Sequence, residues 1–176
     1  MIGLIDTRIA RALARVRLAF RGVLTRLNTA PAVQLAQADA LSGEQLQDAE
    51  LMQHYGFTSA PPAGTMVVVL PLGGQTAHGI IIATEHASYR LRGLQSGEVA
   101  LYTDEGDHVV LHRGRVVEIV AGTKLRVVSP MLECTGEIKD RCDSDGRTMS
   151  GMRAIYNAHT HSDPQGGSVS TPSGTM

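Results

Sequence analysis

A chain of 176 residues with a formal net charge of −1 has room for one ordinary domain or two small ones and carries no global basic field of the kind that binds nucleic acid. Hydrophobic residues make up 43% of the chain but aromatics only 3%, with no tryptophan, so any core must be built in thin layers from Val, Ile, Leu and Ala.

Residues 3–18 read as a helix. Ile5, Ile9, Leu13 and Val16 fall at helical spacing with Arg8, Arg11 and Arg15 on other faces, and Asp6 suits the positive end of the helix dipole. The arginines interrupt any continuous apolar block, so a signal peptide is not expected, and no run reaches the roughly 18–20 apolar residues that span a bilayer. The expectation is a soluble, unprocessed chain whose first helix packs on its own oligomer or a neighbouring subunit.

From Phe20 to about Arg92 the pattern turns to strands. Arg21–Leu27 and Ala32–Ala38 are short candidates joined by a turn at Asn28-Thr29-Ala30-Pro31. Residues 41–55, richer in Gln and Glu, read as a short helix or an irregular excursion that stops at Pro61-Pro62-Ala63-Gly64. Met66–Leu70 is apolar throughout and short enough for a buried strand; Gly73-Gly74 turns the chain into its partner, Gly79–Thr84. Short strands with one longer connection suggest a small closed barrel of the OB type. Such barrels bind single strands through stacked aromatics, which these strands lack, so a structural adaptor is expected.

After Leu94 glycines recur every eight residues, at Gly106, Gly114 and Gly122, with Pro130 in the next register. Between them lie Val109–His112, Val116–Val120 and Leu125–Val128, each short, β-branched and bounded by turn residues. Val116-Val117-Glu118-Ile119-Val120 is apolar on both faces, so both need covering. The simplest cover is further copies of the chain about a common axis, and the expectation is an intertwined homotrimer. Residues 131–158 continue the alternation, with Leu132, Cys134 and Ile138 between charged neighbours. Cys134 and Cys142, with seven residues between them, make neither a CxxC pair nor a secreted disulfide framework; both read as small buried apolar residues. Asp143-Ser144-Asp145-Gly146 lacks the later ligands of a calcium loop and reads as a plain turn.

His159, His161 and Asp163 stand two residues apart, so an extended backbone puts all three on one face, a plausible metal set. His159-Thr160-His161-Ser162-Asp163 fits the H-x-H-x-D start of the metallo-β-lactamase motif, but Pro164 stands where that family continues with His. His-Thr-His also resembles the opening motif of polymerase-and-histidinol-phosphatase-type hydrolases, where it begins a large barrel. The other histidines here (His54, His78, His86, His108, His112) follow no motif, and a catalytic zinc needs about three protein ligands and an open position. Three copies of His159 and His161 on a threefold axis supply six imidazoles instead, a closed octahedral set for a structural ion. By ligand type, iron, nickel or zinc all suit it.

Together, the Arg-rich N-terminal helix, the OB-like barrel, Gly97-Glu98-Val99-Ala100-Leu101-Tyr102, the Gly-punctuated meander and His159-Thr160-His161 followed by Ser162-Asp163-Pro164-Gln165-Gly166-Gly167 resemble phage baseplate assembly protein V, in particular the Mu-type central tail spike. The resemblance implies an all-β trimeric needle at the tip of a contractile tail that pierces the host outer membrane, joined to baseplate hub and tail tube proteins. The charge, the missing aromatics and the lack of a catalytic carboxylate pair add the expectation of no nucleic-acid partner and no enzymatic role. It implies one iron per trimer on His159 and His161, with calcium and chloride inside the spike. Asp163 is the calcium candidate on face geometry alone, not by a match to the family. The expected organisation is an N-terminal helix (1–18), an OB-like barrel (19–95), a trimeric β-helix with its apex (96–163), and a Gly/Ser/Pro-rich tail capping the tip (164–176). A spike of a tail-derived bacteriocin or secretion device would read the same way, and a small metal-dependent hydrolase is the rival of a different class.

Overall fold

The computed structural model describes residues 16–41, 43–162 and 164–174, and the chain divides into two compact units, Met1–Lys124 and Leu125–Met176. The first unit begins with a barrel of five strands: β1 (Phe20–Asn28), β2 (Gln34–Asp39), β3 (Gln45–Leu51), β4 (Met66–Pro71) and β5 (Gly79–Glu85). Their order around the closed barrel is β1-β2-β3-β5-β4. All pairings are antiparallel except β3 with β5, where Glu50 lies opposite Ile80 and Leu51 opposite Ile81.

The barrel core is as thin as the composition requires. Leu24, Ala36, Ala38, Leu46, Ala49, Leu51, Val67, Val69 and Ile81 form one buried cluster, with Phe20, Leu27 and Ala40 packed at its margin. Three register shifts, after Leu24, between Ala36 and Ala38, and after Val68, add the local twist that lets so few strands close. Gly22 permits the closure on the β1 side. A Cβ there would stand 2.7 Å from the carbonyl oxygen of Asp39 and 3.4 Å from Val67, so only glycine lets β1 pass so close to β2.

Two expectations about this unit are corrected. Residues 45–51 are strand β3 rather than a helix or an irregular excursion. The inward residues Leu46, Ala49 and Leu51 break strict alternation because Asp48, at φ 53°, is the bulged residue; spacing of three then two disguises a strand. At the N-terminus, residues 1–15 lie outside the described residues. Val16, Arg17 and Leu18, expected to finish a helix, have irregular backbone instead. The barrel captures them: the Arg17 backbone N–H donates to Gly74 O at 3.0 Å, its guanidinium pairs with Glu44 at 2.7 Å, and it lies 4.2 Å over the Phe20 ring.

Beyond the barrel, β6 (Val99–Tyr102), β7 (His108–His112) and β8 (Val116–Val120) make an antiparallel meander. Gly106 and Gly114 take positive φ in its two turns, which explains their eight-residue spacing. The register puts Val99, Leu111 and Val117 in one row and Leu101, Val109 and Ile119 in the next. Paired residues share a face, so that face is purely aliphatic.

In the second unit the chain departs from the expected run of strands. Leu125–Val128 joins no strand pairing among the described residues, and the regular structure is helix α1 (Met149–Ala158), preceded by a single bridge between Lys139 and Thr148. Asp143, Ser144 and Asp145 lie in a turn, as expected, with Gly146 just past it. Cys134 and Cys142 are free and exposed, not buried, because no core surrounds this stretch of the chain. Among the described residues, no helix is long and apolar enough to cross a membrane.

The barrel is the part of the chain that holds itself together. Leu24→Ala removes a side chain only 1% exposed and should cost about 2–5 kcal/mol, read as a lowered denaturant midpoint. A loss below about 1 kcal/mol would mean that Leu24 is not packed as described.

Candidate metal centre

The His159–His161 stretch begins where α1 ends. The helix starts at Thr148, whose side-chain oxygen accepts the Gly151 N–H at 3.1 Å. Glu137 adds an anion at the same end, accepting the Ser150 N–H at 3.4 Å. Its pKa is held below the ordinary carboxylate range, first by the Ser150 hydroxyl, then by that N–H, with smaller help from Thr148 and Arg153. After the ten residues Met149–Ala158 the chain leaves helical geometry at His159, with φ −71° and ψ 147°.

His159 is half-buried and His161 exposed. Their ring centroids lie 5.0 Å apart at an interplanar angle of 85°, and the Tyr156 ring is 5.3 Å from that of His159. His159 Nδ1 is 2.5 Å from the carbonyl oxygen of Tyr156. A carbonyl only accepts, so a neutral His159 carries its proton on Nδ1 and keeps the Nε2 lone pair for a ligand. Backbone fixation of the far nitrogen is the usual way a ligating imidazole is oriented. His159 is therefore oriented as a ligating imidazole would be, with the His161 ring beside it.

The chain then turns back on itself. The Val169 N–H donates to His161 O at 3.0 Å, and Ser162 bridges Ser168, with Gly166 at φ 92° in the bend. This fold-back braces the backbone of His161. Asp163, the third residue of the expected set, lies outside the described residues. Among the described residues of one chain, no three His, Cys, Asp or Glu side chains gather as a metal site, so an ion on His159 and His161 needs donors from elsewhere.

Elsewhere, an open groove of about 650 Å³ runs between β3 and residues 72–80, and its wall includes Glu44, Asp48, Glu50 and His78. It contains neither His159 nor His161, and Glu44 is already committed to Arg17.

A second cluster lies in the meander, where the sequence alone shows His112 only as one scattered histidine among several. His112, at the end of β7, approaches Glu118 Oε2 at 3.1 Å through Nε2 and Glu98 Oε1 at 3.4 Å through Nδ1. The Glu98 side chain is only 7% exposed and accepts the backbone N–H groups of Gln95 (2.9 Å) and Arg113 (3.1 Å). Those bonds, Gln95 first, hold its pKa below the ordinary range, with a smaller contribution from His112. The His112 pKa is raised, first by its hydrogen bond to Glu118 and then by Glu98, against some desolvation. The spacing of 98, 112 and 118 gives no signal until the β6–β7–β8 register is known.

Comparison with known proteins follows the barrel and extends past it. The model of the family described as "Bacteriophage Mu Gp45, N-terminal" matches residues 21–88, which hold β2–β5 and all but the first residue of β1. The chain is 31% identical over 154 residues to "Mu-like prophage FluMu protein gp45" of Haemophilus influenzae (strain ATCC 51907 / DSM 11121 / KW20 / Rd), covering 85% of this chain and 81% of that protein. It is 29% identical over 133 residues to "Baseplate puncturing device gp45" of Escherichia phage Mu, covering 71% and 68% respectively.

The carboxylate–imidazole–carboxylate cluster makes the meander sensitive to pH. The raised His112 pKa gives stability that is complete below the ordinary imidazole range and lost as pH rises through the folded value. The lowered Glu98 pKa gives stability that is present above the ordinary carboxylate range and lost as pH falls through the folded value. His112→Gln should therefore lower the denaturant midpoint most at about pH 5–6 and least at about pH 8–9; an equal deficit at both would contradict the assignment.

Proposed function

The chain belongs to the bacteriophage Mu gp45 family of phage baseplate spike proteins, whose place is the virion baseplate, and we propose that it acts as a homotrimeric central spike that pierces the host outer membrane when the tail contracts. The observation that carries this reading is the aliphatic face of the meander. Val99, Leu101, Val117 and Ile119 are each more than half exposed in the single chain, although the register gathers them with Val109 and Leu111 on one face. Exposed apolar faces of this kind mark interaction surfaces. Taking each such side chain from half exposed to buried contributes roughly 1 kcal/mol, repeated in every protomer. Leu125, Val127, Val128, Met131 and Leu132, all more than half exposed, extend the same demand along the following stretch.

In this reading the OB-like barrel, stable on its own core, joins the spike to the baseplate hub and tail tube. Residues 96–163 form the shaft and its apex: the strands intertwine with those of two further copies as a trimeric β-helix, in which each chain covers the apolar faces and strand edges of the other two, and α1 leads into the apex. Force reaching the barrel passes down a shaft whose strands have little unpaired edge to fray.

The apex fits a structural metal. His159, with Nε2 left as its ligand atom by the bond to Tyr156, and His161, braced by Val169, would hold one iron between three chains. Such an ion supplies a cross-link where the chains end and opposes their splaying. The fold-back of residues 164–174 covers the tip. Calcium and chloride inside the shaft, with Asp163 as a calcium ligand, belong to the same proposal. The work described is mechanical and uses no catalytic group.

Ile119→Lys tests the trimer at its apolar face. Three ammonium groups brought into one dry interior should give monomers by light scattering at concentrations where the parent chain is a trimer. A trimer of undiminished stability in the variant would show that this face is not the interface.

A further inference from the structure

Helix α1 carries four large apolar side chains, Met149, Met152, Ile155 and Tyr156, whose spacing confines them to one arc of about 120°. All four are exposed, and none of the helix residues is buried. Ser150 and Ala154 fall on the opposite side. We infer that three copies of α1 pack through this stripe as a parallel collar immediately before the histidines, and that the collar aims His159 at the shared ion. The inference rests on the threefold reading of His159 and His161 given above.

Three observations carry it. His159 is the C-cap of α1, so an ion bound by His159 of three chains brings three helix ends together. Metal–nitrogen bonds of about 2 Å leave the three His159 Cα atoms roughly 10 Å apart, close to the 8–10 Å at which helices pack. Next, the stripe and the ligand share a side: Tyr156, a member of the stripe, has its ring 5.3 Å from that of His159 and its carbonyl oxygen on His159 Nδ1. Helices converging at His159 therefore meet through the face that bears Tyr156, Met152 and Met149. Finally, parallel helices converging at their C-termini point the negative ends of three dipoles toward a cation, an arrangement that favours the loaded state. The stripe suits the task chemically, since methionine adapts its shape to irregular contacts.

The test is iron release from the purified chain under chelator challenge, read beside its native mass. Met152→Glu places three carboxylates in the seam and should speed release at least tenfold while the meander keeps the trimer together. Met152→Ser, which removes the contact without adding charge, moves release the same way and serves if the glutamate variant does not fold. Met152→Leu restores retention, and Ala154→Glu, on the opposite side, releases iron at the parent rate. Met152→Glu and Met152→Ser releasing iron at the parent rate would overturn the collar and leave the histidine site standing. Equal acceleration by Met152→Glu and Ala154→Glu would also overturn it, because the effect would not belong to one face. A parent chain without iron, or His159→Ala/His161→Ala retaining it, would overturn the histidine site and the collar together.

Discussion

The interaction on which the rest of this protein depends is the covering of aliphatic side chains that its own chain leaves in water. The barrel satisfies that demand internally, with nine small and medium apolar residues in one buried cluster. From β6 onward the demand is unmet. Val110 is the one apolar side chain buried there among the described residues, while valines, leucines, isoleucines and methionines stay exposed from Val99 to Val169. An exposed apolar face of this kind marks an interaction surface, and in the proposed homotrimer every such face would be covered at once because each copy presents the same surface.

That division of labour explains the contrast in texture between the two parts. The barrel carries bulges, a close glycine crossing at Gly22 and one short parallel pair, β3 with β5, all devices for closing a small sheet around a core. The meander has regular registers and turns at Gly106 and Gly114 instead. Its regularity suits stacking with identical neighbours. The Glu98–His112–Glu118 cluster pins the three meander strands to one another, a local polar clasp in a region without a core of its own.

Much of this was readable in the residues. Four of the five barrel strands announce themselves as short stretches between turn signals, Met66–Leu70 as a wholly apolar one, and Val116–Val120 shows its two apolar faces without a structure. What escaped did so for physical reasons. Strand β3 hid behind the bulge at Asp48, which shifts Ala49 out of alternation with Leu46. Helix α1 hid because Met149, Met152, Ile155 and Tyr156 followed a stretch read as alternating, although their spacing of three and four is helical and Thr148 is a good N-cap. Cys134 and Cys142 were misjudged because burial depends on tertiary context. After α1, His159 and His161 stood out by residue type and spacing. The bond that leaves His159 Nε2 free depends on the carbonyl at the end of α1, which only the fold reveals.

The central claim is that three chains complete what one leaves open, in the shaft and at the histidines alike. Native mass spectrometry of the purified chain, recorded with its bound metal, addresses both in one spectrum. The account predicts a species of three chains carrying one iron. A stable monomer, or one zinc on each chain, would contradict it and return His159 and His161 to the chemistry of a single-chain site.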